Sequence, residues 1–556
     1  MSRKWVRART SALMAAGLLA ALSSGSQAAR MGNLTYTAAE LQNPISLFNV
    51  RTNMPNGPGG VDTVMVLHGY LIVFGTYDSG KGGAALHVYD LSNPRNPLLV
   101  RTYTSAITAR MAEWHMAGMA VVDGKDIVCV RTTTGIGFFD LSDAVNPKDV
   151  STLDLPGVSG GDYTNASWMN SWSWPYVYTA TSGAGVSITD ATDPSVPRLV
   201  RQVPIGKMGN FRVGPIAVAG NYLIVTNMDQ APFRVSVLDL NNPTDPALVD
   251  TISGPNGVYS ATVIGDLVFG AGDKARYTFV KWAPGGTRII ANGTFASDKG
   301  GYCTYQDGFA FCGQSRDGFR KIDLRDLTNI REVGHGVLSR TEAPNGDFDF
   351  ATVLGNLVFQ GNDHGTGNGL LVHQTAPDTT PPTVVSIYPM DNSAPASLLT
   401  HVTIFFSDEI DIDSVTESNL VVRKVGGRPV GGVFSHSSTN AISFGPRHPL
   451  EPNSQYEVVV VAGGVRDLVG NAITSQVVSR FSTGASRGLG TVGTGTTPGS
   501  ADVGIAQAFR LPLDTHSPPH RQLALSSGCW SGALLAFGLW LLAVSTRYAR
   551  RGIRRP

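Results

Sequence analysis

The run Gly75-Thr76-Tyr77-Asp78-Ser79-Gly80-Lys81-Gly82 nearly spells a phosphate-binding loop, in which backbone amides and a lysine would cradle a nucleotide. It lacks the hydroxyl residue after the lysine, and a β-like run follows where a helix should begin, so it reads as a hairpin loop. No His-x-His or His-x3-His spacing falls within any of the repeat units identified below, which leaves zinc without a ligand set. Asp408, Glu409, Asp411 and Asp413 offer oxygens to a hard cation, but they lack the glycine and spacing of a calcium loop and read as a solvated turn with a helix cap. No Gly-x-Ser-x-Gly elbow in a strand-to-helix context and no Cys-His pair supplies a nucleophile. The expectation is a chain with no catalytic residue, no metal and no cofactor. One feature exceeds background: aromatic residues crowd the stretch from Tyr163 to Tyr176. Trp114, His115, Tyr163, Trp168, Trp172 and Trp174 are the candidate ligand-binding residues, for a sugar or a peptide. The alternative is that these rings pack between neighbouring units.

The elements that would position these residues come from an internal repeat. An aspartate closes a β-like run at Asp90, Asp140, Asp190, Asp239 and Asp323, and a proline follows at Pro97, Pro147, Pro197 and Pro246. Each aspartate precedes a polar-Pro turn whose amides its carboxylate can accept, so turn capping explains it better than catalysis. A companion apolar run appears seven times, upstream of each aspartate and in two further units that lack one, at Gly69–Val73, Gly124–Val130, Trp174–Tyr178, Gly220–Val225, Gly265–Phe269, Gly308–Phe311 and Gly355–Phe359. A period of roughly 40 to 50 residues built of short strands means one supersecondary unit per repeat. The fold class is therefore all-β, with a seven-bladed β-propeller over residues 43–375. Asn43-Pro44-Ile45-Ser46-Leu47 matches the outer-strand run Asn96-Pro97-Leu98-Leu99-Val100, so the N-terminal segment is expected to complete the last unit and close the ring. The run Val235–Asp239 resembles the pentapeptide of the LVIVD-repeat family, a resemblance that implies an exported propeller and transfers no catalytic residues.

Residues 376–383, rich in threonine and proline, read as a stiff linker. Short strand-like runs over 384–484 predict an Ig-like β-sandwich. Phe406–Asp411, Pro449–Tyr456, Asp467–Asn471 and Phe481–Gly484 resemble the SbsA-type bacterial Ig-like domain, which implies a spacer on a surface protein. Residues 1–28 carry basic residues, then an apolar stretch, then Ser26-Gln27-Ala28, the pattern of a signal peptide cut after Ala28. Residues 485–521 form a Gly/Ser/Thr/Pro-rich disordered linker. The uncharged run 522–546 is long enough for a transmembrane helix, and the arginines of 547–556 form a basic cytoplasmic tail. Ser526-Ser527-Gly528-Cys529 with that helix and those arginines resembles the MYXO-CTERM class of sorting tags, which implies processing at Cys529. Plain anchorage is the other reading. Without the basic residues of the two ends, 34 basic residues face 42 acidic ones, which excludes a nucleic-acid footprint.

Cys303 and Cys312 flank Asp307-Gly308, the strongest short hairpin signal. A two-residue loop there pairs Gln306 with Phe309 and so sets the cysteines opposite each other, at a separation a disulfide tolerates. Cys129 would remain a buried free thiol. Together these readings predict a non-enzymatic protein at the cell surface or the outer face of the envelope. Its propeller would bind an envelope protein or glycan, its Ig-like domain would be a stalk, and its C-terminal helix would hold the membrane. The rival is an envelope enzyme with its site in the propeller channel. Three or more convergent His, Asp or Glu side chains there would favour the enzyme, and an apolar lining would favour binding.

Overall fold

The computed structural model describes residues 46–49 and 59–485, apart from internal stretches at 78–84, 95–96, 113–114, 161–163, 229, 273–275, 295–300, 315–317, 337–349, 356, 362–369 and 375–376. Residues 1–28 and 486–556, with the expected signal peptide, linker, helix and tail, lie outside the described residues. Among the described residues no helix is long and apolar enough to cross a membrane, and the helices are single 3-10 turns.

Seven antiparallel units follow in chain order, each pairing a first strand with a second, a third and a fourth. Unit two, for example, runs Gly118–Val122, Lys125–Thr132, Gly135–Asp140 and Lys148–Asp154. The third strands of units one to four and six end at Asp90, Asp140, Asp190, Asp239 and Asp323. In each case the carboxylate accepts the backbone N–H two residues on, from Ser92, Ser142, Thr192, Asn241 and Arg325. That bond turns the chain toward the fourth strand. Unit seven takes its fourth strand from the other end of the chain: Ser46–Asn49 pairs antiparallel with Leu370–Gln374. Unit six contains the hairpin Cys303–Gln306 and Phe309–Gly313, in the register that sets Cys303 opposite Cys312, and a disulfide joins them. Its turn residues Asp307 and Gly308 are both left-handed, with φ of 51° and 84°, as a two-residue turn of this hand requires.

The Ig-like domain is two sheets sharing one core. Val384–Tyr388, Val402–Phe406, Ala441–Pro446 and Gly432–Ser438 form one, and Leu420–Lys424, Gln455–Val460 and Val477–Ser482 the other. The domain is not the projecting stalk that its sequence suggests. Gly432–Ser438 pairs with the first strand of unit two, Ser435 opposite Ala120 and His436 opposite Met119, so the two domains share an eight-stranded sheet. Strand alternation explains the rest of the docking. In Val402–Phe406, Ile404 and Phe406 enter the sandwich core, whereas Phe405 packs with Ala217, Ile224, Val268 and Trp282 of units four and five.

The turns between the first and second strands carry the contact. His68 of unit one meets Asp413, and Asp123 of unit two pairs with Arg447 at 2.8 Å. In unit three the Arg447 guanidinium lies 5.3 Å from the Trp174 ring centroid. In unit four the Gly220 N–H donates to Thr403 at 2.8 Å, and a Cβ at Gly220 would fall 2.7 Å from that of Tyr388. In unit six the Asp307 N–H donates to the Ser407 carbonyl at 2.7 Å. The expected linker is part of this junction: Asp378 is 7% exposed and Ser407 donates to the Thr383 carbonyl.

Candidate functional site

First strands, and the residues leading into them, surround one cavity of about 90 Å3. Met65, Ala117, Met169, Ile216, Val263, Cys303 and Ala351, one from each of the seven units, share its wall. Hydroxyls on these strands tie neighbouring units together. Thr262 donates to the Cys303 carbonyl at 2.6 Å and Thr304 to that of Ala351 at 3.1 Å, while the Val353 N–H donates to Thr304 at 2.8 Å. Glu409, His436, Ser438 and Thr439 of the Ig-like domain also line the cavity, so its boundary belongs to both domains.

His115, Tyr302 and Phe350 form another part of the wall, with Trp168 packed behind His115. The His115 ring stacks on Trp168 at 5.0 Å between centroids, and lies 4.0 Å from Tyr302 and 5.0 Å from Phe350. Tyr302 and Phe350 stack at 4.5 Å, within 5° of parallel. The backbone sets this geometry: the His115 N–H donates to the Trp168 carbonyl at 3.0 Å, and Tyr302 and Phe350 form a parallel bridge between units six and seven. The Arg131 guanidinium lies 5.1 Å from the Trp168 ring centroid, in cation–π range.

Of the residues expected to bind ligand, the structure brings His115 and Trp168 together and sends Trp172 and Trp174 elsewhere. Both of the latter are buried in the packing between units two and three, Trp172 edge-on to Phe138 at 5.5 Å, and neither presents a face to the cavity. Position relative to the strand is the reason. Trp172 sits within Asn170–Ser173 on the side facing unit two, whereas Trp168 precedes the strand and reaches the neighbouring loop. Trp114, Tyr163, Ala28 and Cys529 lie outside the described residues.

Burial sets the charges at the cavity. It pushes the Glu409 carboxyl up to about 8, and pulls the His436 imidazole down to about 4 against the opposing bond to the Ile410 backbone. At neutral pH the site therefore presents an uncharged acid, able to donate a hydrogen bond, and an uncharged imidazole. His115, Glu409 and His436 all line the cavity, but the one group of three His, Cys, Asp or Glu that converges among the described residues lies elsewhere. Stacking and neutral hydrogen bonding are what this arrangement offers.

Glu409, His436 and the whole Ig-like contribution escaped the sequence reading, which took Asp408 and Glu409 as a solvated turn; they are 1% and 8% exposed. A signal was available: Val402–Phe406 is apolar on both faces apart from Thr403, and a strand of a free sandwich would leave one face polar.

Residues 378–483 match the family of bacterial Ig-like domains, beginning inside the segment read as a linker. Such domains are typical of surface or exported proteins. No curated protein matches the sequence.

Proposed function

We propose that this chain is a non-enzymatic recognition module of the bacterial cell surface. Its seven units form an LVIVD-type propeller, and its SbsA-type Ig-like domain is a cap docked on one face of that ring. The cavity takes an uncharged ligand, with a glycan end as the class that fits: aromatic rings suit the C–H face of a sugar, and neutral donors and acceptors suit its hydroxyls. The observation that carries this reading is the cavity itself, walled by all seven units and combining the His115–Tyr302–Phe350 rings with a neutral carboxyl and imidazole. Export and anchorage are supported by the basic, apolar and small-residue order of the first 28 residues and by the arginines after the uncharged run 522–546. Processing at Cys529 belongs to the same proposal.

The test is a panel of envelope glycans and envelope proteins offered to the full chain, with binding and turnover followed together. Phe350→Ala is expected to weaken glycan binding by roughly tenfold, the scale of one aromatic contact, while Glu409→Gln leaves it within about threefold. Turnover of a bound glycan that Glu409→Gln abolishes would replace this reading with the enzyme. Tight binding of an envelope protein that ignores Phe350→Ala would move the recognition surface away from the cavity.

A further inference from the structure

Where the Ig-like domain meets unit six, the contact is acidic. Asp307, Asp378 and Asp408 each bring a carboxylate oxygen within 4.8 Å of the others. Asp307 is the first left-handed residue of the hairpin turn, Asp378 stands where the Ig-like domain begins, and Asp408 just beyond the strand Val402–Phe406. Asp378 and Asp408 are 7% and 1% exposed. A fourth carboxylate, Asp467, lies nearby, with its oxygens held by the backbone N–H groups of Gly470 and Asn471 and by the Asn471 side chain.

A separate observation points to a ligand. Gln306, next to the turn, is 6% exposed, and its amide is aimed into the cluster, with Nε2 3.0 Å from Asp378 and 3.1 Å from Asp408. Its Oε1 is buried with no hydrogen-bond partner. A buried acceptor left unpaired is a standing cost. Turning the amide by half a turn exchanges the two atoms, but then the oxygen faces carboxylate oxygens. Neither orientation satisfies this side chain with carboxylates alone. With the amide turned, a cation among these oxygens removes that repulsion, because Oε1 then faces a positive charge.

We propose that Asp307, Asp378 and Asp408, together with Oε1 of Gln306, bind a divalent cation of the calcium class, which clasps the Ig-like domain to unit six. The donor set is all oxygen and comes from separate segments of backbone. That suits the flexible coordination of calcium better than the strict octahedron of magnesium, and it lacks the nitrogen and sulfur that favour zinc. The charges pressing on Asp408 are the carboxylates of Asp378, Asp467 and Asp307. The clasp is independent of what occupies the cavity.

The experiment uses the purified full chain, stripped with EDTA and returned to CaCl2 or MgCl2, with thermal melting and equilibrium dialysis as readouts. Calcium is expected to bind with half-saturation near roughly 0.1–1 mM, the range of extracellular modules, and to raise the melting temperature by about 3 °C or more at saturation. Magnesium should do less. Asp408→Asn should abolish the calcium response and raise the melting temperature of the EDTA-treated protein, since it removes a repelling charge. Asp307→Asn, at the partly exposed turn, should fold like the parent and bind calcium about tenfold more weakly. A parent that binds no calcium overturns the site, as does calcium binding that both variants retain at full strength.

Discussion

The Ig-like domain meets units one and two on one side and unit six on another, and the two junctions handle charge in opposite ways. At the first, His68 places Nδ1 2.9 Å from Asp413 and Nε2 2.9 Å from Asp126. The bonds to Asp126 and Asp413 outweigh burial and raise this imidazole to about 10, so it is a cation at neutral pH, held between one carboxylate of each domain. At the second, a neutral amide, Gln306, stands among carboxylates. The comparison teaches that one junction is closed by a charge the chain encodes, while the other leaves its closure to protons or ions in the medium.

The largest expected effect comes from a third point of contact between the two domains, at unit three. A Cβ at Gly445 would run into the carbonyl oxygen of Trp174. Gly445→Ala should therefore destabilise the molecule by about 1–3 kcal/mol, read by chemical denaturation as one shifted transition. Two separated transitions would mean that the domains melt independently and the junctions are incidental. Next, Gln306→Lys gives unit six a cation of its own. It should stabilise the EDTA-treated protein by on the order of 1–2 kcal/mol and make it indifferent to calcium; a loss of stability would show that the carboxylates there already share protons well enough. The smallest effect belongs to His68→Asn, which keeps a residue tolerant of the left-handed backbone (φ 54°) and removes the charge. Because Asp413 is 42% exposed, the loss should stay near or below about 1 kcal/mol. Its sign follows from a folded pKa above the unfolded 6.5: the gap between parent and variant is full below pH 6.5, shrinks as pH rises toward 10, and is gone beyond it. A gap that widens over that range would break the assignment of charge to His68.

What could be read from the sequence was local. The side-chain-to-backbone bond from Asp140 to Ser142 and its counterparts spans two residues, so turn chemistry reveals it directly. The register of the Cys303–Cys312 hairpin follows from Asp307-Gly308 alone. The matching runs at Asn43 and Asn96 foreshadow the strand Ser46–Asn49 that completes unit seven. What could not be read was which residues meet across the docked faces. Nothing near Phe405 states that Ala217 and Ile224 will cover it, and Asp408 carries the same label in the sequence as a solvated turn residue. The aromatic stretch was half legible for the same reason: spacing identifies the rings, but only tertiary packing decides that Trp168 joins His115 while Trp172 faces Phe138.

The shared sheet also constrains the order in which the molecule can assemble. The Ser171 hydroxyl of unit three donates to the carbonyl of Ser437, 266 residues later, and beside it Gly432–Ser438 takes up the free edge of Gly118–Val122. A chain made from its N-terminus onward therefore holds unit two unfinished, with an open strand edge, until nearly all of the folded region has been synthesised. Such an edge pairs readily with other chains. Nascent or C-terminally truncated molecules carry that exposure, and the safeguard against it is the Ig-like domain, whose pairing strand arrives more than 300 residues later.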